Sequence, residues 1–434
     1  MKRLFPLLSC IFLLCVSNVS AQNISDDLTD AQKAYVLSKF CTEVKYNFVF
    51  YNDLIFSWDS LCMTTLPTLL ATKSKEEFVL ELQRLCTRLG DGHTSIYQEN
   101  PSNTQDWIRP FPMKTKRIGN RVFVTTVLSS DLQKQGVKKG SEIIEIDGLD
   151  VITYVNRYKR PFTSASTPQW LDFYPYAGFE LTKDKGSKVS KILFKNRDGR
   201  TFEIVSNRNL NWDLQTGSIF DYKKLKGNVG LLKINSFMGN EFQKEFDKLY
   251  PHILQSDGLI IDLRDNMGGN SGNADYVVRH LSDKPIKTGK WSSRMYIAAH
   301  GSWRFPQEWF MESPDPLNPV DKENVYRKPV MLLVNAVTFS SSENFCVTFR
   351  GTNKGIIIGT PTGGSTGNPI HVDLGFGIYA QICTKNEWDV NGNKFIGIGI
   401  KPDIEVEETA EAFLRGNDEM INEALKHMKS FFKH

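Results

Sequence analysis

The chain has 434 residues, of which 40% are hydrophobic and 24% are charged, and its formal net charge is +4. This length is sufficient for two or three domains, and the composition is that of an ordinary globular protein. Because the small positive charge is spread along the chain without a dense run of Lys and Arg, the sequence argues against a nucleic-acid-binding protein.

Residues 1–21 are predicted to be a secretory signal peptide. Met1-Lys2-Arg3 precedes an apolar run from Leu4 to Val16, and Val19-Ser20-Ala21 is typical of a cleavage site. The run, of about 13 residues, is too short to span a membrane. A lipoprotein anchor is the weaker alternative, because Ser9-Cys10 lies too early in the run and Leu14-Cys15 lacks a small residue before the cysteine. We therefore expect export to the periplasm or the extracellular space.

Five cysteines remain after this cleavage: Cys41, Cys62, Cys86, Cys346 and Cys383. Their odd number and the absence of CxxC spacing argue against a metal cluster or a dense disulfide framework. One disulfide is compatible with export, but we expect buried free thiols. The sequence predicts no metal site and no cofactor.

Residues 22–98 are predicted to form a small N-terminal helical cap. Thr29-Asp30 begins a helix that reaches about Phe48, and residues 73–77 begin another helix. The cap ends in Gly90-Asp91-Gly92-His93, where two glycines permit a tight turn. A histidine in such a turn is a candidate general base, because neutral imidazole accepts a proton near pH 7, although a single histidine is more often structural.

Residues 113–205 are predicted to be rich in β-structure. Strands are expected at 121–127 and 142–146, with a hairpin turn at Asp147-Gly148. The stretch 136–148 resembles the PDZ pattern of a glycine, an apolar residue, two further residues and a second glycine, with Ser141 where that family carries Asp. The resemblance implies that Gly136, Val137 and Gly140 belong to a site that binds an extended C-terminal peptide as an added strand. The aromatic-rich stretch 161–188 either lines a groove or packs in a core, and packing is expected.

Residues 225–405 are predicted to be an α/β core. Strands at 230–234, 258–263 and 330–334 alternate with helices, and the last two are predicted to be buried on both faces. The stretch 330–334 is an unbroken apolar run, which is typical of such a strand. Ligands bind at the carboxyl ends of such strands. Gly268-Gly269 follows one strand and offers exposed backbone N–H groups to an anion. A phosphate-binding loop is the competing interpretation, and it fails because no GK[ST] sequence follows.

The stretch after the strand at 330–334 has the strongest chemical signal. Ser340 and Glu343 form a capping-box pattern, which predicts that a helix begins at or near Ser340. A hydroxyl at a helix N-terminus faces backbone N–H groups that favour a developing oxyanion. Beyond this helix, strands are expected at 355–358, 378–382 and 395–400, a long flexible loop at 359–367 and a closing helix in the region 406–434.

Four separated pieces, at 90–94, 261–269, 338–343 and 399–404, occur in the order found in the S41 peptidases. With the PDZ-like stretch between the first two, they make the chain resemble that family over roughly residues 30–405. The resemblance implies a multidomain α/β protein with a ClpP/crotonase-like α/β core, a β-rich PDZ-like domain and an N-terminal helical cap. It also implies that Ser340 is the nucleophile, and that the N–H of Ser341 and that of Gly268 or Gly269 form the oxyanion hole.

The family has two kinds of general base, and the sequence distinguishes between them. One subgroup carries a Lys in a glycine-rich loop, but Ser365 stands at that position here. The other, tricorn-like subgroup uses the histidine that corresponds to His93. Its orienting glutamate aligns with Ile396, so Asp389 and Glu387, the nearest carboxylates in sequence, are the candidate replacements.

We therefore expect an exported serine endopeptidase that acts on protein or peptide substrates, with a pH dependence governed by an imidazole pKa of about 6.5. The PDZ-like segment should serve substrate capture rather than the chemical step. The alternative is a catalytically degenerate member of the same family that binds peptides or apolar ligands. The substrate, the cleavage specificity and the oligomeric state stay open.

Overall fold

The computed structural model describes residues 27–98, 111–183, 191–205, 210, 212–213 and 217–431. The predicted signal peptide lies outside these residues. Within them the fold is mixed α/β, with two six-stranded and two three-stranded sheets. None of the helices in these ranges is both long enough and apolar enough to cross a membrane.

The N-terminal region consists of three helices and a strand: α1 Asp30–Asn47, α2 Trp58–Leu70, α3 Lys75–Thr87 and β1 Ser95–Gln98. Thr29 and Gln32 form a capping box at the start of α1, as the side chain of each accepts the backbone N–H of the other. The helices share one apolar core with residues 374–383, and β1 pairs with residues 378–381. These helices therefore pack against residues of the α/β region, and their assignment to a separate cap stays a prediction.

A disulfide joins Cys41 of α1 to Cys62 of α2. The expectation of free thiols is therefore wrong for this pair and correct for Cys86, Cys346 and Cys383, which are buried and unpaired. The pairing depends on the packing of α1 against α2, which places the indole of Trp58 against the carbonyl of Cys41 at 3.1 Å. Sequence spacing alone does not encode that packing.

The second region is a six-stranded antiparallel sheet. Both strands expected here occur with the predicted bounds, and Asp147 and Gly148 form the turn with φ of 51° and 78°. Whether this sheet is a PDZ-like domain stays a prediction. The elements are β2 Met113–Ile118, β3 Arg121–Val127, α4 Ser130–Lys134, β4 Glu142–Ile146, β5 Leu149–Asp150, α5 Val151–Tyr158, α6 Pro168–Phe173, β6 Lys191–Lys195 and β7 Thr201–Val205.

The third region is the α/β core. Its elements are β8 Phe220–Leu225, β9 Val229–Ile234, α7 Phe242–Leu254, β10 Gly258–Asp262, α8 Ser271–Arg279, β11 Lys290–Met295, α9 Ala298–Ser302, β12 Glu308–Glu312, β13 Val330–Val334, α10 Ser341–Thr352, β14 Gly355–Gly359, β15 Ile370–Gly375, β16 Ile378–Ile382, β17 Lys385–Trp388, β18 Ile404–Glu405, α11 Ala410–Arg415 and α12 Glu419–Phe431.

The main sheet of this region has the order β18-β14-β13-β10-β9-β8, and all its strands except β8 run parallel. Every residue of β10 and β13 is buried, as expected for strands covered on both faces. Helices α7, α8 and α10 cover one face and α12 covers the other. Because β10 and β13 are neighbours, the loops that follow them meet at one edge of the sheet.

Two predicted elements differ from the structure. No strand forms at 395–400, because Gly397 and Gly399 adopt φ of 77° and 94° and the chain turns there. The single closing helix is two helices, since Gly416 at φ 74° ends α11. Helix α11 packs on β2 and β3, whereas α12 packs on the main sheet.

Candidate active site

Ser340 lies at a sharp turn between β13 and α10, with φ 56° and ψ −126°. L-residues rarely adopt this conformation, which costs about 1–3 kcal/mol and occurs where a nucleophile is exposed between a strand and a helix. Its hydroxyl does not cap α10. The predicted capping box is therefore wrong, although the helix begins where that pattern placed it.

The imidazole of His93 lies between two hydroxyl groups. Its Nε2 is 2.9 Å from Ser340 Oγ, and its Nδ1 is 2.8 Å from Ser365 Oγ. The ring is 5% exposed and stacks on Phe339 with the centroids 4.6 Å apart. Burial lowers the pKa of His93 to about 4, so the imidazole is neutral at pH 7 and can accept a proton.

The turn that carries His93 is fixed by Asp91 and Gly92. The carboxylate of Asp91 accepts the backbone N–H of His93 at 3.0 Å and the hydroxyl of Thr94 at 2.7 Å. Burial raises the pKa of Asp91 to about 6. A side chain at position 92 would lie 2.8 Å from the ring of Phe339, so only glycine fits beside the stacked rings.

The glycine pair after β10 packs directly against Ser340, the predicted nucleophile. A Cβ added to Gly268 would lie 2.7 Å from Ser340 Cβ and 2.9 Å from the nitrogen of Ser341. The N–H of Gly268 donates to Asn266 Oδ1 at 2.9 Å, whereas those of Gly269 and Ser341 have no acceptor among the described residues. The sequence predicts Gly268 or Gly269 as an oxyanion donor together with Ser341, and of the two glycines it is Gly269 whose N–H is not engaged by Asn266.

The loop 359–367 is largely buried rather than flexible, because Glu343 anchors it. The fully buried carboxyl of Glu343 accepts the hydroxyl of Thr362 at 2.5 Å and the N–H groups of Gly364 and Ser365 at 2.8 Å each. Burial raises the pKa of Glu343 to about 8, although these hydrogen bonds lower it. The N–H of Ser340 also donates to the carbonyl of Ser365, so one loop contacts both Ser340 and His93.

Neither of the carboxylates proposed from sequence contacts His93. Glu387 accepts from the amide of Asn344 at 2.5 Å and pairs with Lys385, and Asp389 accepts backbone N–H groups within its own turn. These two carboxylates are close to Ile396 in sequence, but they do not lie against His93 in space. Ser365 contacts Nδ1 of His93 instead. It is the residue that stands where one subgroup of the family carries Lys.

The residues predicted to bind peptide lie apart from this site. Gly136 and Val137 line a cavity of about 590 Å³ on the second sheet, together with Lys138, Lys139 and Arg200. Gly140 does not line this cavity, and the side chain of Leu414 from α11 lies 3.4 Å from where its Cβ would be.

The described part of the chain contains no group of three or more His, Cys, Asp or Glu side chains placed to hold a metal ion. At Ser340 a hydroxyl on a strained backbone faces a neutral imidazole, and the N–H of Ser341 follows at the start of α10. These are the groups that nucleophilic attack, proton transfer and oxyanion stabilisation require.

Residues 228–406 match the model of Peptidase family S41. Over 256 residues the chain is 24% identical to a protein of Sulfurisphaera tokodaii named as a tricorn-like protease C-terminal subunit, a match that covers 57% of this chain and 25% of that protein. The chain thus spans about a quarter of the length of this curated relative.

Two solved structures share the fold. Mature CPAF is 14% identical with a TM-score of 0.67, and the match covers 89% of this chain and 94% of CPAF. The photosystem II D1 C-terminal processing protease is 18% identical with a TM-score of 0.50, and the match covers 86% of this chain and 93% of that one. At these identities the similarity shows a common fold.

Proposed function

We propose that the protein is an exported serine endopeptidase of the S41 kind, which cleaves peptide bonds in protein or peptide substrates; the match of residues 228–406 to the model of Peptidase family S41 supports this. The observation that carries the proposal is the 2.9 Å distance between Ser340 Oγ and His93 Nε2, at a strained turn between a buried strand and a helix. A serine with only a structural role does not require such a backbone conformation.

In the proposed reaction Ser340 Oγ attacks the carbonyl carbon of the scissile bond while its proton moves to His93 Nε2. For Nε2 to accept this proton, Nδ1 must carry the other ring hydrogen and donate it to Ser365 Oγ. The oxyanion of the tetrahedral intermediate accepts hydrogen bonds from the N–H groups of Ser341 and Gly269. The imidazolium then protonates the leaving amine, and water hydrolyses the acyl-enzyme by the reverse sequence of proton transfers.

Ser365 therefore has the role that a carboxylate has in the usual triad, with one difference. Its hydroxyl can accept the Nδ1 hydrogen and so hold the ring in the productive tautomer, but it supplies no negative charge to stabilise the imidazolium. We accordingly propose an active enzyme whose turnover is slower than that of a peptidase with a complete Ser-His-carboxylate triad.

The second part of the proposal is that residues 113–205 capture peptide substrates. Lys138, Lys139 and Arg200 give the cavity on this sheet a positive lining, which suits the carboxylate at the C-terminus of an extended peptide. Gly136 and Val137 place backbone groups at the same cavity.

The alternative is a catalytically degenerate protein that binds peptides or apolar ligands. One observation favours it: no carboxylate contacts the imidazole of His93 among the described residues. Peptide hydrolysis by the purified protein decides between the two, with Ser340→Ala as the test variant. Ser342→Ala is the matched control, because the hydroxyl of Ser342 is buried without a hydrogen-bond partner in the described structure. The proposal requires cleavage by the parent and by Ser342→Ala and none by Ser340→Ala. Equal rates in all three would contradict it.

A further inference from the structure

Residues 163–170, here called the strap, comprise the loop before α6 and the first three residues of that helix. The strap lies within the aromatic-rich stretch of the second region, between α5 and β6. Although it belongs in sequence to the second sheet, its side chains contact the three chain segments that meet at the active site.

The first set of contacts is with the turn that carries His93. Ser166 Oγ accepts the N–H of Gly92 at 2.9 Å, and Ser164 Oγ donates to the carbonyl of Thr94 at 2.6 Å. These two bonds act on the residues immediately before and after His93. They therefore fix the position of the turn on both sides of the imidazole.

The second set of contacts is with the loop that carries Ser365. Thr167 Oγ1 donates to the carbonyl of Gly363 at 2.8 Å, and Gln169 Nε2 donates to that of Thr362 at 2.9 Å. A Cβ at Gly364 would lie 2.4 Å from the methyl group of Thr167, so the loop and the strap are in close contact. The strap thus binds the loop just before Ser365.

The third contact is a stack of aromatic rings that ends at the catalytic imidazole. Trp170 stacks on Phe339 at 4.0 Å, and Phe339, the residue before Ser340, stacks on His93 at 4.6 Å. Trp170 is 4% exposed, and its indole N–H donates to the carbonyl of Ser164 at 3.1 Å. The indole of Trp170 therefore covers the ring of Phe339, which in turn covers the imidazole of His93.

We propose that the strap is a positioning element for catalysis, which sets His93 and Ser365 in register with Ser340 and keeps water away from the imidazole. This inference rests on the proposed function of Ser340 and His93. It follows because one short segment binds all three pieces, and because proton transfer depends on heavy-atom distances near 3 Å. The segment proposed to capture substrate is thus also required for the chemical step, which revises the expectation that it serves capture alone.

The pH profile of the base reports on this role. The ring nitrogens of His93 face the hydroxyls of Ser340 and Ser365. Two carboxyl groups are near: that of Asp91 accepts the backbone N–H of His93, and that of Glu343 accepts the backbone N–H of Ser365. The thiol of Cys383 and the side chain of His93 both lie beside Gly367. None of these groups belongs to the strap. A strap substitution therefore leaves the charges around the imidazole unchanged and alters its burial and position.

The test uses Trp170→Leu and the milder Thr167→Val in the full chain, with Asp172→Asn as the matched control. Asp172 lies on α6 in a surface ion pair with Arg160, so the control should match the parent.

The readout is the rate at which a fluorophosphonate labels Ser340 at pH 5 and pH 8. In the parent the two rates should agree within about twofold, since His93 is neutral at both values. In Trp170→Leu the pKa should move toward about 6.5, which lowers the rate at pH 5 by up to roughly 30-fold relative to pH 8. Thr167→Val should label more slowly at both pH values.

Parent-like rates and pH profiles in both folded strap variants would overturn the inference while leaving the proposed function intact. If the parent itself is not labelled at Ser340, the proposed function fails. The imidazole titration of His93, followed by NMR in the same variants, then decides the positioning role separately. An upward shift of its pKa in Trp170→Leu supports the strap, and an unchanged pKa refutes it.

Discussion

The strained backbone at Ser340 predicts that a glycine at this position stabilises the fold. Both Ser340→Ala and Ser340→Gly remove the hydroxyl, so their difference isolates the backbone, which adopts φ 56° and ψ −126°. Relief of strain contributes about 1–3 kcal/mol to Ser340→Gly, and the greater freedom of glycine in the unfolded chain offsets about 0.4–1 kcal/mol of this. We therefore expect Ser340→Gly to be more stable than Ser340→Ala by about 1 kcal/mol.

Thermal unfolding of the two variants measures this difference. For a cooperative unit of 150–250 residues, 1 kcal/mol corresponds to a Tm shift of about 2–4 °C, and the part of the chain that matches the family model is of that size. Neither variant should hydrolyse peptides. A Tm for Ser340→Gly equal to or below that for Ser340→Ala would refute the reasoning, because it would mean that position 340 stores no strain.

Three further predictions concern the groups around His93. Burial lowers the pKa of His93 to about 4, so the imidazole is neutral above that value. In a pH–rate profile kcat/KM should therefore rise with pH through about 4 and be flat near neutrality. A rise centred at about 6.5 that persists in Asp91→Asn would show that the imidazole is solvated; the variant is needed because burial raises the pKa of Asp91 to about 6, in the same range. Ser365→Ala removes the acceptor of the Nδ1 hydrogen and should lower kcat by about 10- to 100-fold, equivalent to ~1–3 kcal/mol, with little change in KM. If kcat stays within twofold of the parent, Ser365 does not orient the ring. Glu343→Gln leaves an N–H of Gly364 or Ser365 facing an amide NH₂, so it should lower kcat by a similar factor and lower the Tm. Unchanged values of both would mean that Glu343 does not hold the loop.

The strands were the part of the fold that the sequence predicted best. Those at 121–127, 142–146 and 378–382 have the predicted bounds, because turns and glycines interrupt a clear hydrophobic pattern at their ends. The meeting of His93 with Ser340, 247 residues later, was expected only from the family resemblance. Periodicity and spacing in one chain carry no information about such a long-range contact.

The parts that the sequence did not predict depend on tertiary packing. Ser365 contacts His93 because the buried carboxyl of Glu343 binds the backbone of the glycine-rich loop. The sequence pattern instead predicts that Glu343 belongs to a capping box. The strap lies in a stretch for which core packing is expected, and Trp170 does pack, but against Phe339, the residue before Ser340. The failure of the strand at 395–400 arose from two glycines whose positive φ no hydrophobic pattern reveals.

The most direct test of the account is the site at which a fluorophosphonate reacts, mapped by mass spectrometry of the labelled protein. The account predicts a single adduct on Ser340. Labelling should be absent in Ser340→Ala, at least about 100-fold slower in His93→Ala and unchanged in Ser342→Ala. An adduct on Ser341, Ser342 or Ser365, or parent-like labelling of His93→Ala, would contradict the assignment of nucleophile and base.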